Sequence, residues 1–252
     1  MYTGSIPVEA STFPLLPHTE HAPLRVTALP CAACRSSVVT ASSRIVGLVL
    51  AGGKGSRLGG VDKALLRLEG VSLANRVIAR LRPQCETILL SVAQATDEAP
   101  FRQYSVSVLP DRSDGPAGPA AALWAGLCWA KANAPDAAIL TVTVDCPFTP
   151  LDFAQRSLDA IGDSGCVAGA YEGQIYPTHA LWQIEALETV LDGQMSSDKG
   201  PSLFALLEKA KGRSVDYRAY AHFNPFQGIN TVADLLSASA GIRNFTGQHT
   251  SF

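Results

Sequence analysis

The apolar run Ile45 to Ala51 ends abruptly in a loop with glycines at 52, 53, 55, 59 and 60, with Arg57 inside it and Lys63 closing it. An apolar run this short, bounded by glycine, reads as a strand buried on both faces. A buried strand that feeds such a loop presents free backbone N–H groups, and the glycines let the backbone approach a ligand closely. Two cations beside those N–H groups suit a polyphosphate. The segment therefore points to an α/β chain that handles nucleotides at the end of its first strand.

Two common phosphate motifs are excluded. Lys63 is followed by Ala64, so G-x-x-x-x-G-K-[ST] is absent, and G-x-G-x-x-G does not occur at the required offsets. A ligand-free turn would leave Arg57 and Lys63 at the two ends of a long glycine loop unexplained. Written out, Leu50 to Lys63 is L-A-G-G-x-x-x-R-x-G-G-x-D-K. This resembles the signature loop of nucleotidyltransferases that attach a nucleoside monophosphate to a phosphorylated acceptor. Within that group it most resembles the molybdenum cofactor guanylyltransferase family, over about residues 44–236.

From Arg44 onward strands and helices alternate. Strands are expected at Ile45–Ala51, Thr87–Val92, Ser105–Leu109 and Ala137–Val144. Helices are expected at Leu73–Leu81, capped by Ser72, at Ala120–Lys131, and after Pro150, with Pro150 or Asp152 near the first turn. Cys166 to Trp182 reads as two strands joined at Glu172-Gly173-Gln174. Helices at Ile184–Leu191 and Ser202–Ala210 follow, then a strand at Ser214–Tyr220 and a last helix from Thr231 through Leu236. This order predicts a three-layer α/β/α sandwich around a mostly parallel, Rossmann-like twisted sheet. Residues 1–43, rich in proline, serine and threonine, read as a disordered extension, and 237–252 as a flexible tail. The domain proper is 44–236.

In an open parallel sheet, ligands bind outside the carboxyl ends of the strands. The Gly-rich loop, Ser91, Asp111 in V-L-P-D and Asp145 in V-T-V-D-C-P-F all fall there. Asp145 is the candidate metal ligand, since Mg²⁺ favours one or two carboxylates with phosphate oxygens and water; capping of the next helix is the alternative use. Lys63 is expected to act as a point charge on phosphates and Arg57 as a second clamp, which makes Arg57, Lys63 and Asp145 the catalytic set. Asp62 could instead pair with Lys63 at the surface.

The resemblance adds roles residue by residue. It implies nucleotide binding by Leu50, Ala51, Gly52, Gly53 and Lys63, by the polar residue ending strand two, here Ser91, and by Asp111. D-C-P-F matches the family's aspartate-x-Pro-Phe/Tyr segment, which holds magnesium and nucleotide. The segment from Gly118 resembles G-P-L-A-G-x-L at a helix entry, and Asn230-Thr231 matches the end of F-x-N-x-N-T, which in the family lies toward the pterin. The chain departs from the family pattern at Ser91, usually Asn, at Ala122, a glycine, at Gly228, an asparagine, and at Tyr176, a histidine. His179 follows on that same strand, where a core histidine is the plainer reading than a catalyst.

With 252 residues that are 47% hydrophobic, the chain can bury a sizeable core. A net charge of −2 gives no global field for nucleic acid or an anionic membrane, and no apolar run is long enough to span a bilayer. Of six cysteines, Cys85, Cys128, Cys146 and Cys166 read as buried and reduced in a cytoplasmic protein, while Cys31 and Cys34 form a lone C-x-x-C without a second pair. The expected function, implied by the resemblance, is transfer of GMP from GTP to the terminal phosphate of molybdenum-molybdopterin, with Mg²⁺ as cofactor. A molybdenum-insertion protein and a recipient molybdoenzyme chaperone are the implied partners, and the chain is expected to be a monomer. The alternatives are a relative that uses CTP or another phosphorylated acceptor (cobinamide phosphate or a sugar phosphate) and a GTP sensor without turnover.

Overall fold

The computed structural model describes residues 44–52, 62–93, 101–192 and 200–247. Gly53, Arg57, Cys31, Cys34 and the expected extension 1–43 lie outside them. The main sheet contains β1 (Ile45–Leu50), β4 (Thr87–Val92), β5 (Ser107–Pro110), β6 (Ala138–Thr143), β7 (Cys166–Tyr171), β8 (Gln174–Gln183) and β9 (Arg213–Asp216). Its order is β5-β4-β1-β6-β8-β7-β9. The pairs β5–β4, β4–β1, β1–β6 and β7–β9 are parallel, and β8 runs antiparallel to both β6 and β7. A two-stranded hairpin, β2 (Arg67–Leu68) and β3 (Val71–Ser72), stands apart from this sheet.

Alternation along the strands fills two cores. Ile45 and Val49 of β1 face helices α1 (Leu73–Leu81) and α3 (Phe153–Ile161). Val46 and Leu48 face α2 (Pro119–Asn133), α4 (Ile184–Leu191) and α5 (Leu203–Lys209). Each face of the sheet is thus covered, as a parallel sheet requires. The expected α/β/α sandwich is the observed one, and most element boundaries agree to within two residues.

The differences have local causes. The segment expected to be a strand over Ser214–Tyr220 leaves the sheet after Asp216, whose carboxylate accepts the Arg218 N–H at 2.8 Å and winds Tyr217–Ala219 into a 3₁₀ turn. The third strand starts later than expected, because Ser105 takes a positive φ of 52° just before it. The β2–β3 hairpin was not expected; Glu69 and Gly70 at its tip have φ of 49° and 78°, the two positive values of a type I′ turn. The last helix, α6, runs over Val232–Gly247 rather than ending at Leu236. It continues because Leu235, Ala238 and Ile242 pack on Leu68, Leu73 and Ile229 near the hairpin.

The chain order matters for the site. β1 leads outward through β4 to β5, then the chain returns to β6 on the other side of β1. That reversal makes a crevice between the carboxyl ends of β1 and β6, the switch point where such sheets bind ligands.

Candidate active site

At the end of β1, Ala51 donates its N–H to Ser91 O at 3.1 Å and Leu50 O accepts from Val144 N at 3.1 Å. Leu50 pairs with Ser91 on one side and Thr143 on the other, so the Leu-Ala-Gly turn leaves the sheet flanked by β4 and β6. Next to it, Ser91 is buried and its hydroxyl donates to Asp111 Oδ1 at 3.4 Å. Asp111 is tied by its own N–H to Val92 O at 2.9 Å. Partial burial raises its carboxyl above the usual range, and the Ser91 hydrogen bond opposes this. An acceptor pair of this kind, recessed beside the β1 turn, can bond the N–H edge of a base or the hydroxyls of a ribose.

Lys63 opens a 3₁₀ turn over Lys63–Leu65, capped by Asp62, which accepts the Ala64 N–H at 2.9 Å. Asp62 thus serves the turn, and Lys63 points elsewhere. Its Nζ donates to Asp145 Oδ2 at 2.7 Å and to Asn230 Oδ1 at 2.5 Å. The lysine and aspartate side chains are only 17% and 18% exposed, which keeps the pair from being screened like a surface salt bridge. Asp145 caps no helix; its other oxygen lies 3.7 Å from the Cys146 thiol.

Asn230 is free to reach Lys63 because its neighbours make the helix cap. Thr231 Oγ1 accepts the Asp234 N–H at 3.1 Å, and Asp234 Oδ2 accepts the N–H groups of Asn230 and Thr231 at 2.9 and 2.8 Å. This reciprocal box satisfies the first turn of α6 and leaves the Asn230 side chain for the site. Gly228 lies against the same carboxylate: a Cβ there would sit 3.3 Å from Asp145 Oδ2 and 3.1 Å from Asn230 Nδ2. The family's asparagine at this position would therefore crowd the Lys63–Asp145–Asn230 cluster as it is arranged here.

Gly118 forms the N-cap of α2 with φ 69°, and Pro119 begins the helix. Pro119 has no N–H to give, and Ala121 donates its own to Gly118 O at 3.0 Å. His179 is buried beside Phe226, at 5.2 Å between ring centres, with Nδ1 3.1 Å from Thr178 Oγ1 and Nε2 without a partner among the described residues. Burial lowers its pKa to about 4, with the Asp145 charge opposing. It is a neutral core histidine, as its apolar strand implies. Cys146, buried and pushed up by desolvation and by Asp145, stays a thiol. It donates to Phe226 O at 3.2 Å, a contact no sequence signal announces. Cys85 and Cys166 are likewise raised to about 12 by burial; of the four, Cys146 and Cys166 are buried as expected, whereas Cys85 and Cys128 are partly exposed.

Among the described residues no three His, Cys, Asp or Glu side chains gather as a metal site. A single carboxylate with an amide oxygen beside it is nevertheless the donor set that Mg²⁺ takes when phosphates and water complete its shell. The Lys63 ammonium already marks where a cation lies between Asp145 and Asn230.

A family model, the MobA-like NTP transferase domain, matches residues 47–215. The chain is 35% identical over 206 residues to a molybdenum cofactor guanylyltransferase from Mesorhizobium japonicum, covering 80% of this chain and 98% of that protein. It is 37% identical over 203 residues to one from Acidiphilium cryptum, covering 79% and 96%. Among solved structures, molybdopterin-guanine dinucleotide biosynthesis protein A from Archaeoglobus fulgidus superposes with a TM-score of 0.64 at 19% identity, over 79% of this chain and 99% of that one, and shares the fold.

Proposed function

The chain belongs to the MobA-like NTP transferase family, and we propose that it transfers GMP from GTP to the terminal phosphate of molybdenum-molybdopterin. The observation that carries this reading is the convergence of Lys63, Asp145 and Asn230 at the switch point between β1 and β6. The guanylyltransferase names of relatives aligned over nearly their whole length support the choice of nucleotide and acceptor.

In the reaction, an acceptor phosphate oxygen forms a bond to the α-phosphorus of GTP as the bond to the bridging oxygen of pyrophosphate breaks in line. The acceptor oxygen is ionised near neutral pH, so no general base is required. The protein's work is positioning and charge stabilisation. The Leu50-Ala51-Gly52 turn brings the open backbone of Gly52 to the nucleotide, and Ser91 and Asp111 hold its base or ribose. Gly118 at the N-terminus of α2 adds N–H groups along the same edge. Lys63 exchanges Asp145 for phosphate oxygens, and Asn230 keeps the ammonium directed at the crevice. Arg57 and Gly53, from the same loop, join this set. Mg²⁺, held by Asp145, would supply charge neutralisation on the phosphates.

The reaction belongs in the cytoplasm in this reading, and among the described residues no helix is long and apolar enough to cross a membrane. The enzyme acts as a monomer that exchanges cofactor with a molybdenum-insertion protein and a molybdoenzyme chaperone. Pyrophosphate release is the test, measured with molybdenum-molybdopterin, Mg²⁺ and GTP, CTP or ATP in parallel. Release with GTP alone is expected. Release with CTP alone would overturn the base assignment, and tight GTP binding without release would replace the enzyme by a sensor.

A further inference from the structure

Phe226 is deeply enclosed in the loop that carries Asn230. Phe223 and Gln227 before and after it are exposed, Phe223 to 57%, yet Phe226 is 1% exposed. Its ring lies 5.4 Å from Phe153, 5.3 Å from Tyr217 and 5.4 Å from Tyr176, centre to centre. The floor of this socket is Gly169 of β7. A Cβ built there would stand 2.4 Å from Phe226 Cζ and 2.8 Å from its Cε atoms, far inside contact distance. Its wall is made by a break in β8. Ala168 pairs with Ala180 but Gly169 pairs with Tyr176, so Pro177, Thr178 and His179 bulge out of register beside the ring.

Three hydrogen bonds join the seated loop to the catalytic edge. Cys146, next to Asp145, donates its thiol to Phe226 O at 3.2 Å. Ile229 donates its N–H to the carbonyl of Asp145 at 2.9 Å. Asn230 accepts from Lys63 at 2.5 Å. On the other side, Asn224 Oδ1 accepts the Phe226 N–H at 3.0 Å, and its amide donates to the Tyr176 hydroxyl. Loop and catalytic edge are far apart in sequence, and short loops of polar residues do not hold themselves. The ring in its socket is the feature that orders the loop.

We infer that Phe226, seated on Gly169, is a positioning residue that sets the register of the Gly228–Asn230 segment against Asp145 and Lys63. It touches no substrate; it acts through the Ile229 and Asn230 contacts. The assignment rests on the guanylyltransferase reading for its activity arm alone, and its structural arm stands without it.

Gly169→Ala is the test, because the added methyl fits only if the ring moves. Turnover is expected to fall about tenfold or more, since sub-ångström to ångström displacements of positioned groups carry such costs. GTP affinity, set at the ends of β1, β4 and β5, is expected to change less than about threefold. Exchange of the Ile229 amide, followed by NMR without any substrate, should quicken about tenfold or more. Gly169→Ala combined with Phe226→Leu should recover most of both losses, because leucine lacks the distal ring atoms that the methyl meets. A folded Gly169→Ala variant with native turnover and native Ile229 protection would overturn the assignment. So would a double variant no better than Gly169→Ala. If the native protein released no pyrophosphate, the proposed reaction would fail, and the Ile229 exchange comparison would still decide the role of Phe226.

Discussion

The two sides of the crevice are built by different means. On the side proposed to bind the nucleotide, Ala51, Ser91 and Asp111 each lie at the end of a strand, and ladder hydrogen bonds hold them: Ala51 N to Ser91 O, Asp111 N to Val92 O. On the other side, Gly228, Ile229 and Asn230 belong to no strand. They are held by an aromatic ring in a socket, by a buried thiol and by a capping box at α6. A ladder positions side chains as a by-product of forming the sheet. A seated loop depends instead on packing between residues far apart in the chain. Asp145 and Lys63 sit between the two and are shared by both.

The largest effect is expected where the sides meet. Asp145→Asn removes the charge facing Lys63 while keeping the shape, and turnover should fall about 10²–10³-fold with the fold intact, as loss of a preorganised charge at a reacting phosphate does. Steady-state pyrophosphate release and thermal unfolding together check this. Near-native turnover would remove Asp145 from the shared position and leave the two sides independent.

The loop side carries an acid-sensitive support. His179 packs on Phe226 and has a folded-state pKa near 4, lowered chiefly by burial, against about 6.5 when unfolded. The unfolded chain therefore takes up the proton first as pH falls. The stability this group contributes is complete above about pH 6.5 and is lost toward pH 4, on the order of 2 kcal/mol by pH 4.5. Denaturant unfolding at pH 7 and 4.5 should show a smaller drop for His179→Leu than for the native protein. Equal drops would mean that the imidazole is not held neutral by the aromatic packing.

On the ladder side, Asp111→Asn should raise the KM for GTP about tenfold and leave kcat within about twofold, the loss expected for one hydrogen bond from a charged acceptor. A fall in kcat instead would place Asp111 among the groups that act on the transition state. The smallest change concerns the cap. Thr231→Ala removes the acceptor for the Asp234 N–H and should cost about 1 kcal/mol of stability, measured by denaturant unfolding. If Asn230 is oriented through this cap, turnover falls with it; if through Phe226, turnover stays near native.

The strand ends on the ladder side were legible because their evidence is local. A strand and the residue that ends it lie within one stretch of apolar alternation, so Thr87–Val92 with Ser91 and V-L-P-D with Asp111 stand out without any knowledge of the sheet. The Ser72 cap of α1 was legible for the same reason: its hydroxyl accepts from Asn75, three residues on. The length of α6 was not, since Ser237 to Gly241 reads as polar and weakly helical until Ala238 and Ile242 find the β2–β3 hairpin. Nor was the purpose of Gly169, which looks like an ordinary core residue along the chain, or the contact between Cys146 and Phe226, which lie in separate motifs.

The sequence by itself determined the alternation of strands and helices and the placing of Ser91, Asp111 and Asp145 at strand ends. These follow from backbone sterics and side-chain periodicity acting over a few residues. Only the tertiary structure decided that β6 returns beside β1, that Lys63 meets Asp145 across 82 positions and Asn230 across 167, and that Phe226 finds its seat on Gly169. Contacts at such separations are chosen by how buried surfaces fit one another, and that fit exists only once the sheet and its two helical layers have closed.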